Sequence, residues 1–96
     1  MTPIRWSPES LADLESIREF IARNSPRYAE LVTQRLITVV GRLSEFPLSG
    51  RLVPEVARQD VREVIVGAFR IVYRCSPESI EVATVFRGSR LFPLSM

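Results

Sequence analysis

The chain has no histidine, no lysine and a single cysteine, and it contains no apolar run approaching the ~20 residues that span a membrane. Each absence removes a class of chemistry. Without imidazole there is no unperturbed side chain that titrates near neutral pH, so a Ser-His-Asp hydrolase is excluded. Without lysine there is no ammonium nucleophile, and without a His/Cys cluster there is no zinc site; no cofactor or metal is expected. Cys75, beside Ser76-Pro77, has no partner for an internal disulfide. The N-terminal MTPIRWSP has neither the basic start nor the apolar stretch of a signal peptide. These features lead us to expect a cytoplasmic protein with no membrane partner.

What is present is one domain's worth of chain. Its 96 residues, 46% hydrophobic and 25% charged, suit a single domain over residues 1–96 with one modest core. The net charge is only +2, yet all thirteen basic residues are arginine. Guanidinium stays charged at any working pH and forks onto phosphate or carboxylate through two parallel hydrogen bonds. Surface arginines are therefore the candidates for binding.

Punctuation along the chain gives the elements. PIRW at 3–6 predicts a short strand. Ser7-Pro8 is a helix start, with a hydroxyl for a free backbone N–H and a proline at the first helical position. Leu11, Leu14, Ile17 and Ile21 follow at helical spacing. Ser25-Pro26 repeats the signal and opens a second helix to about Glu45, with Ala29, Val32, Leu36, Val39, Val40 and Leu43 inward. So short a link folds the two helices into an αα-hairpin. Residues 47–60 are expected to be an irregular connector. VREVIV (61–66), FRIVYR (69–74) and IEVATVF (80–86) are strands by their β-branched and aromatic content. Turns this short make consecutive strands antiparallel. The expectation is an α+β fold of order β-α-α-β-β-β, an antiparallel sheet with the helical hairpin on one face.

Strand alternation then sorts the arginines. Phe69, Ile71 and Tyr73 share one face of their strand; Arg70, Val72 and Arg74 share the other. Placing Ile80 opposite Tyr73 puts Arg70, Arg74, Glu81 and Arg87 on an open face away from the helices. A two-residue turn at Gly67-Ala68 would set Arg62 on the core face near Tyr73. Burying an unpaired guanidinium is expensive, so a longer connection or a bulge that turns Arg62 toward Arg70 is favoured. The expected partner- or phosphate-binding patch is Arg62, Arg70, Arg74 and Arg87, rimmed by Arg51 and Arg90, with Glu81 as its main acidic neighbour. Tyr73 is expected in the core, its hydroxyl reaching an edge.

The segments IRWSPESLADLESIREFIARNSP, RLSEFPLSGRLVPE, VREVIVGAFRIVYR and IEVATVFRGSRLFP together resemble the RelE/ParE superfamily of type II toxins, over essentially the whole chain. The resemblance implies a small toxin neutralised by an antitoxin whose C-terminal segment wraps it. RelE-type members cut mRNA on the ribosome, promoting attack of the ribose 2′-hydroxyl on the neighbouring phosphate; ParE-type members poison DNA gyrase. By position, Arg70 matches the arginine that RelE-type enzymes use on the scissile phosphate, and Arg62 lies near one of their lysines. The pattern departs from theirs at the base. Phe92-Pro93-Leu94 stands where a tyrosine would follow the last strand, and Arg87 stands at a position often histidine. Arginine, with a pKa above ~12, is a poor proton carrier, and Glu55 or Glu63 could act as base only with a raised pKa. The resemblance thus points to the ParE branch and a gyrase inhibitor that is not an enzyme. The alternatives are a ribosome-dependent mRNA endonuclease using Arg70, Arg62 and Arg87, or a degenerate toxin with little activity. For the antitoxin, apolar positions near Phe20 and Leu31 and an outer strand of the sheet are the expected docking points.

Overall fold

A computed structural model describes residues 1–94. The elements are β1 (Ile4–Trp6), α1 (Pro8–Ala22), α2 (Pro26–Arg42), β2 (Arg51–Leu52), β3 (Val61–Val66), β4 (Phe69–Cys75) and β5 (Ile80–Arg87). Both helix starts are capped as their sequence requires. Ser10 N–H donates to Ser7 Oγ at 3.0 Å, Tyr28 N–H donates to Ser25 Oγ at 3.1 Å, and proline takes the next position in each. The second helix stops at Arg42, one turn short of the expected end.

Five strands form one sheet in the order β1-β5-β4-β3-β2. The three long strands are antiparallel, as their short turns demand. The expectation of a wholly antiparallel sheet is corrected at one edge, where β1 runs parallel to β5, pairing Ile4 with Ile80 and Trp6 with Val82. Turn length constrains only consecutive strands, and β1 reaches its neighbour across nearly the entire chain. The connector also holds a strand not foreseen, the two-residue β2, which pairs with β3 at the opposite edge.

The main core lies between the helical hairpin and the sheet. Leu36 and Val40 of α2 pack on Val66, Phe69, Ile71, Val82 and Val85, with Leu14, Ile17 and Ile21 of α1 closing over them. Leu11, expected inward, is instead half-exposed in the first turns of α1, where Ser10 is the buried residue. Ser10 fits there because its Oγ donates to the Ser7 carbonyl, so no polar group is left bare.

The other face of the sheet is not open. Val61, Val72 and Phe86 meet Val53 from the connector, and Val56 and Phe92 pack against them. The connector and the chain after β5 thus form a second, smaller core over the strands that carry Arg70.

Candidate functional site: the arginine-bearing end of the sheet

Arg70 lies within this second core, and its chemistry follows from that. Its Nε donates to Glu63 Oε1 at 2.6 Å, and its two terminal nitrogens fork onto Glu55 at 2.8 and 2.9 Å. The guanidinium also stacks on the rings of Phe86 and Phe92, at 5.1 and 5.7 Å from their centroids. Only 9% of the residue is exposed. Glu63 has a wholly buried side chain, and its second oxygen accepts from Arg51 Nε at 2.6 Å. The result is a chain of four charges, Arg51–Glu63–Arg70–Glu55, in which every inner group is paired. A carboxylate can be buried in a strand when two guanidiniums satisfy both its oxygens. The expectation of a patch with few acidic partners is therefore corrected for Arg70 and Arg51.

These contacts also set the proton chemistry. The fork from Arg70 holds the Glu55 carboxyl down at about 2, and its own backbone N–H adds to the effect. The hydrogen bond to Glu55 raises the Arg70 pKa in return, against the opposing effect of burial. A carboxylate held so low is the reverse of a general base at neutral pH. Tyr73 is fully buried as expected. Its Oη donates to the Pro47 carbonyl and accepts the Gly50 N–H, both at 2.9 Å, and burial raises its pKa. It fastens the α2–β2 connection to the sheet.

Two arginines lie on other faces than expected. The β3–β4 turn is the two-residue type, with Gly67 in the left-handed region at φ 58°, so Arg62 pairs opposite Tyr73 on the helix side. The desolvation argument failed because the guanidinium finds backbone acceptors, even though its Nε is buried with no partner among the described residues. It reaches past the end of α2, where its Nη1 donates to the Gly50 carbonyl at 3.0 Å and to that of Leu48 at 3.5 Å. Arg87 is displaced by a different cause. The β4–β5 hairpin closes with Cys75 opposite Ile80, not Tyr73 opposite Ile80, and a β-bulge interrupts the pairing between Val72 and Tyr73. Before the bulge Tyr73 faces Val82; after it Val72 faces Thr84. The extra residue reverses the parity of the rest of β5. Phe86 therefore joins Arg70, while Arg87 stands opposite Phe69 with its guanidinium 5.1 Å above that ring.

The six expected arginines thus separate. Arg70 and Arg51 belong to the ion-pair chain, and Arg62 holds the connector. Arg74 stays on the expected face, pairing at the surface with Glu81 at 3.0 Å. Arg87 and Arg90 come together at the exit of β5, lining a groove of about 450 Å³ between α1 and the sheet. Its walls are Ile17, Phe20, Ile21, Phe69 and Val85, and Phe20 is 56% exposed. Arg87 also borders a second hollow with Tyr28, Val32 and Arg35 of α2. An apolar groove that also carries two guanidiniums suits an amphipathic polypeptide better than a small substrate.

An αα-hairpin on a sheet of this order is the fold of the RelE/ParE class of small toxins. It matches a chain of the chromosomal ParDE toxin–antitoxin system from P. aeruginosa with a TM-score of 0.76, at 21% identity, over 91% of this chain and 96% of that one. It also matches a chain of the toxin–antitoxin complex RelBE2 from Mycobacterium tuberculosis with a TM-score of 0.60, at 19% identity, over 90% and 96%. In sequence, Toxin RelE2 of Caulobacter vibrioides is 31% identical over 91 residues, covering 95% of this chain and all of the relative. The family described as "ParE toxin of type II toxin-antitoxin system, parDE" matches residues 4–92. The chain belongs to this family of type II toxin–antitoxin toxins.

Proposed function

We propose that this toxin acts by poisoning DNA gyrase, that a cognate antitoxin neutralises it, and that it does not cut RNA. The observation that carries this reading is the state of Arg70. A guanidinium that is to stabilise a scissile phosphate must offer its donors to the substrate. Here those donors go to Glu55 and Glu63. The remaining acid–base candidates are equally occupied, with Glu55 ionised down to about pH 2 and Tyr73 sealed in the core. Two exposed guanidiniums, Arg87 and Arg90, border an apolar groove instead, which is the composition of a protein-docking surface.

The same surface suits an antitoxin. Phe20 and Leu31, on the two helices, are more than half exposed, and β2 leaves an outer edge with unpaired backbone. An amphipathic segment with acidic residues complements both the groove and its arginines. The solved toxin–antitoxin assemblies that share the fold support an antitoxin partner.

The test is induction of the chain in cells lacking any antitoxin. The expected result is growth arrest with chromosomal double-strand breaks that vanish in a gyrase mutant, while translated transcripts remain uncut. Cuts within codons of ribosome-bound mRNA, with chromosomal DNA intact, would replace this reading with the endonuclease. Unimpaired growth with folded protein would show a disarmed toxin.

A further inference from the structure

The bulge in β5 lies where the start of α1 bonds to the strand. At the start of α1, Ser7 N–H donates to the Val82 carbonyl at 3.0 Å, and Ser7 Oγ donates to the Ala83 carbonyl at 2.9 Å. One and a half turns later, Asp13 Oδ2 accepts from Thr84 Oγ1 at 2.6 Å and from the Val85 N–H at 3.0 Å. A bulge leaves backbone groups without a partner in the ladder, and these must find one elsewhere. Ser7 Oγ at Ala83 and Asp13 at Val85 supply such partners around the interruption, while the Ser7 N–H continues the β1–β5 ladder. Among the described residues Asp13 is the only carboxylate lining the α1–β5 groove, and its Oδ2 already serves two donors.

We infer that Asp13 is a positioning residue: by holding the bulge it turns Arg87 toward the α1–β5 groove, where the guanidinium meets an acidic side chain of the partner polypeptide. With unbroken alternation Arg87 would fall on the face of Arg70, among the Glu55 and Glu63 carboxylates that already saturate that arginine. The reversed parity sends it instead over Phe69, beside Arg90 and the apolar wall of Ile17, Phe20 and Ile21. Bulges re-aim single side chains in this way at working surfaces. The inference rests on the proposed reading of Arg87 as a partner contact.

Two measurements on the full chain separate the inference from that reading. The first concerns the free protein: the nuclear Overhauser contacts between the Arg87 side chain and the Phe69 ring should be present in wild type and lost in Asp13→Ala. The second is a double-mutant cycle of Asp13→Ala and Arg87→Ala, read as inhibition of DNA gyrase supercoiling. Each single variant should weaken inhibition about tenfold, the scale of one charged contact. The double variant should be no weaker than either. A merely structural Asp13 would lower stability but give losses that multiply. If Asp13→Ala does not fold, Thr84→Val removes one of the two bonds and should show the same pattern in smaller size. Arg87 remaining over Phe69 in a folded variant, or multiplying losses, overturns the inference. A wild type that leaves gyrase untouched removes the gyrase reading, while the Arg87–Phe69 contacts still decide the role of Asp13.

Discussion

Arg70 shows how a residue recognised by position can have its role reassigned by its neighbours. From the sequence alone it stands among arginines on an open face, where Arg70→Ala should leave the fold intact. The structure predicts the opposite. Removing it strips the buried Glu63 of one of two guanidiniums and frees Glu55, Phe86 and Phe92 from their common partner. Breaking a buried ion pair from one side is strongly destabilising, so a loss of about 3 kcal/mol is expected. In a domain of this size that is a fall in Tm on the order of 10–20 °C, measurable by a thermal melt. Gly50 makes a second residue-scale case. A Cβ there would stand 2.5 Å from Tyr73 Oη and 2.7 Å from the Glu63 carbonyl oxygen. Gly50→Ala should therefore cost ~1–3 kcal/mol through displacement of a buried ring and backbone, visible as a shifted denaturation midpoint.

At the scale of elements, the αα-hairpin, the three long strands and most of the main core were legible. Capping pairs, helical spacing and short turns are local signals, and Leu36, Val40, Ile71 and Tyr73 all stand where those signals put them. The parallel edge strand was not legible, because the Ile4–Ile80 pairing is set by packing and leaves no trace in turn length. Arg62 and Arg87 were misplaced for two further reasons. One guanidinium met backbone carbonyls beyond a helix end through Nη1 while its Nε stayed buried, and one bulge reversed a strand's parity. The one sequence hint of the bulge is that Val85 and Phe86, adjacent and both apolar, end in different cores. The second core was equally hidden, since Phe92 lies in the segment after β5 and meets Phe86 edge-on at 5.8 Å. Phe92→Ala should uncover that core and loosen Arg70. We expect a loss of ~1–3 kcal/mol and faster hydrogen exchange in the 53–56 segment than in α2.

At the scale of the whole molecule, charge divides into a fixed set and an exposed set. The fixed set carries a pH signature. The folded Glu55 pKa of about 2 lies below its ordinary 4.5, so its contribution is complete above pH 4.5 and fades as pH falls toward 2. Urea midpoints across that window should decline for wild type and decline less steeply for Glu55→Gln; equal slopes would show that the Arg70–Glu55 fork contributes nothing. The exposed set includes Arg23, Arg27 and Arg35 on and between the helices as well as Arg87 and Arg90, the two that line the α1–β5 groove and that we propose as partner contacts. The fold thereby uses Arg70 as a structural bond, its donors taken by Glu63 and Glu55.

The most direct test of that account is a titration of the purified, folded chain into a gyrase supercoiling reaction, scored for both inhibition and linear DNA. The account predicts that supercoiling stops as linear DNA accumulates, and that Arg87→Ala weakens both effects while melting like wild type. Undiminished supercoiling at a large excess of toxin, with ribosome-bound mRNA cut by the same preparation, would contradict it.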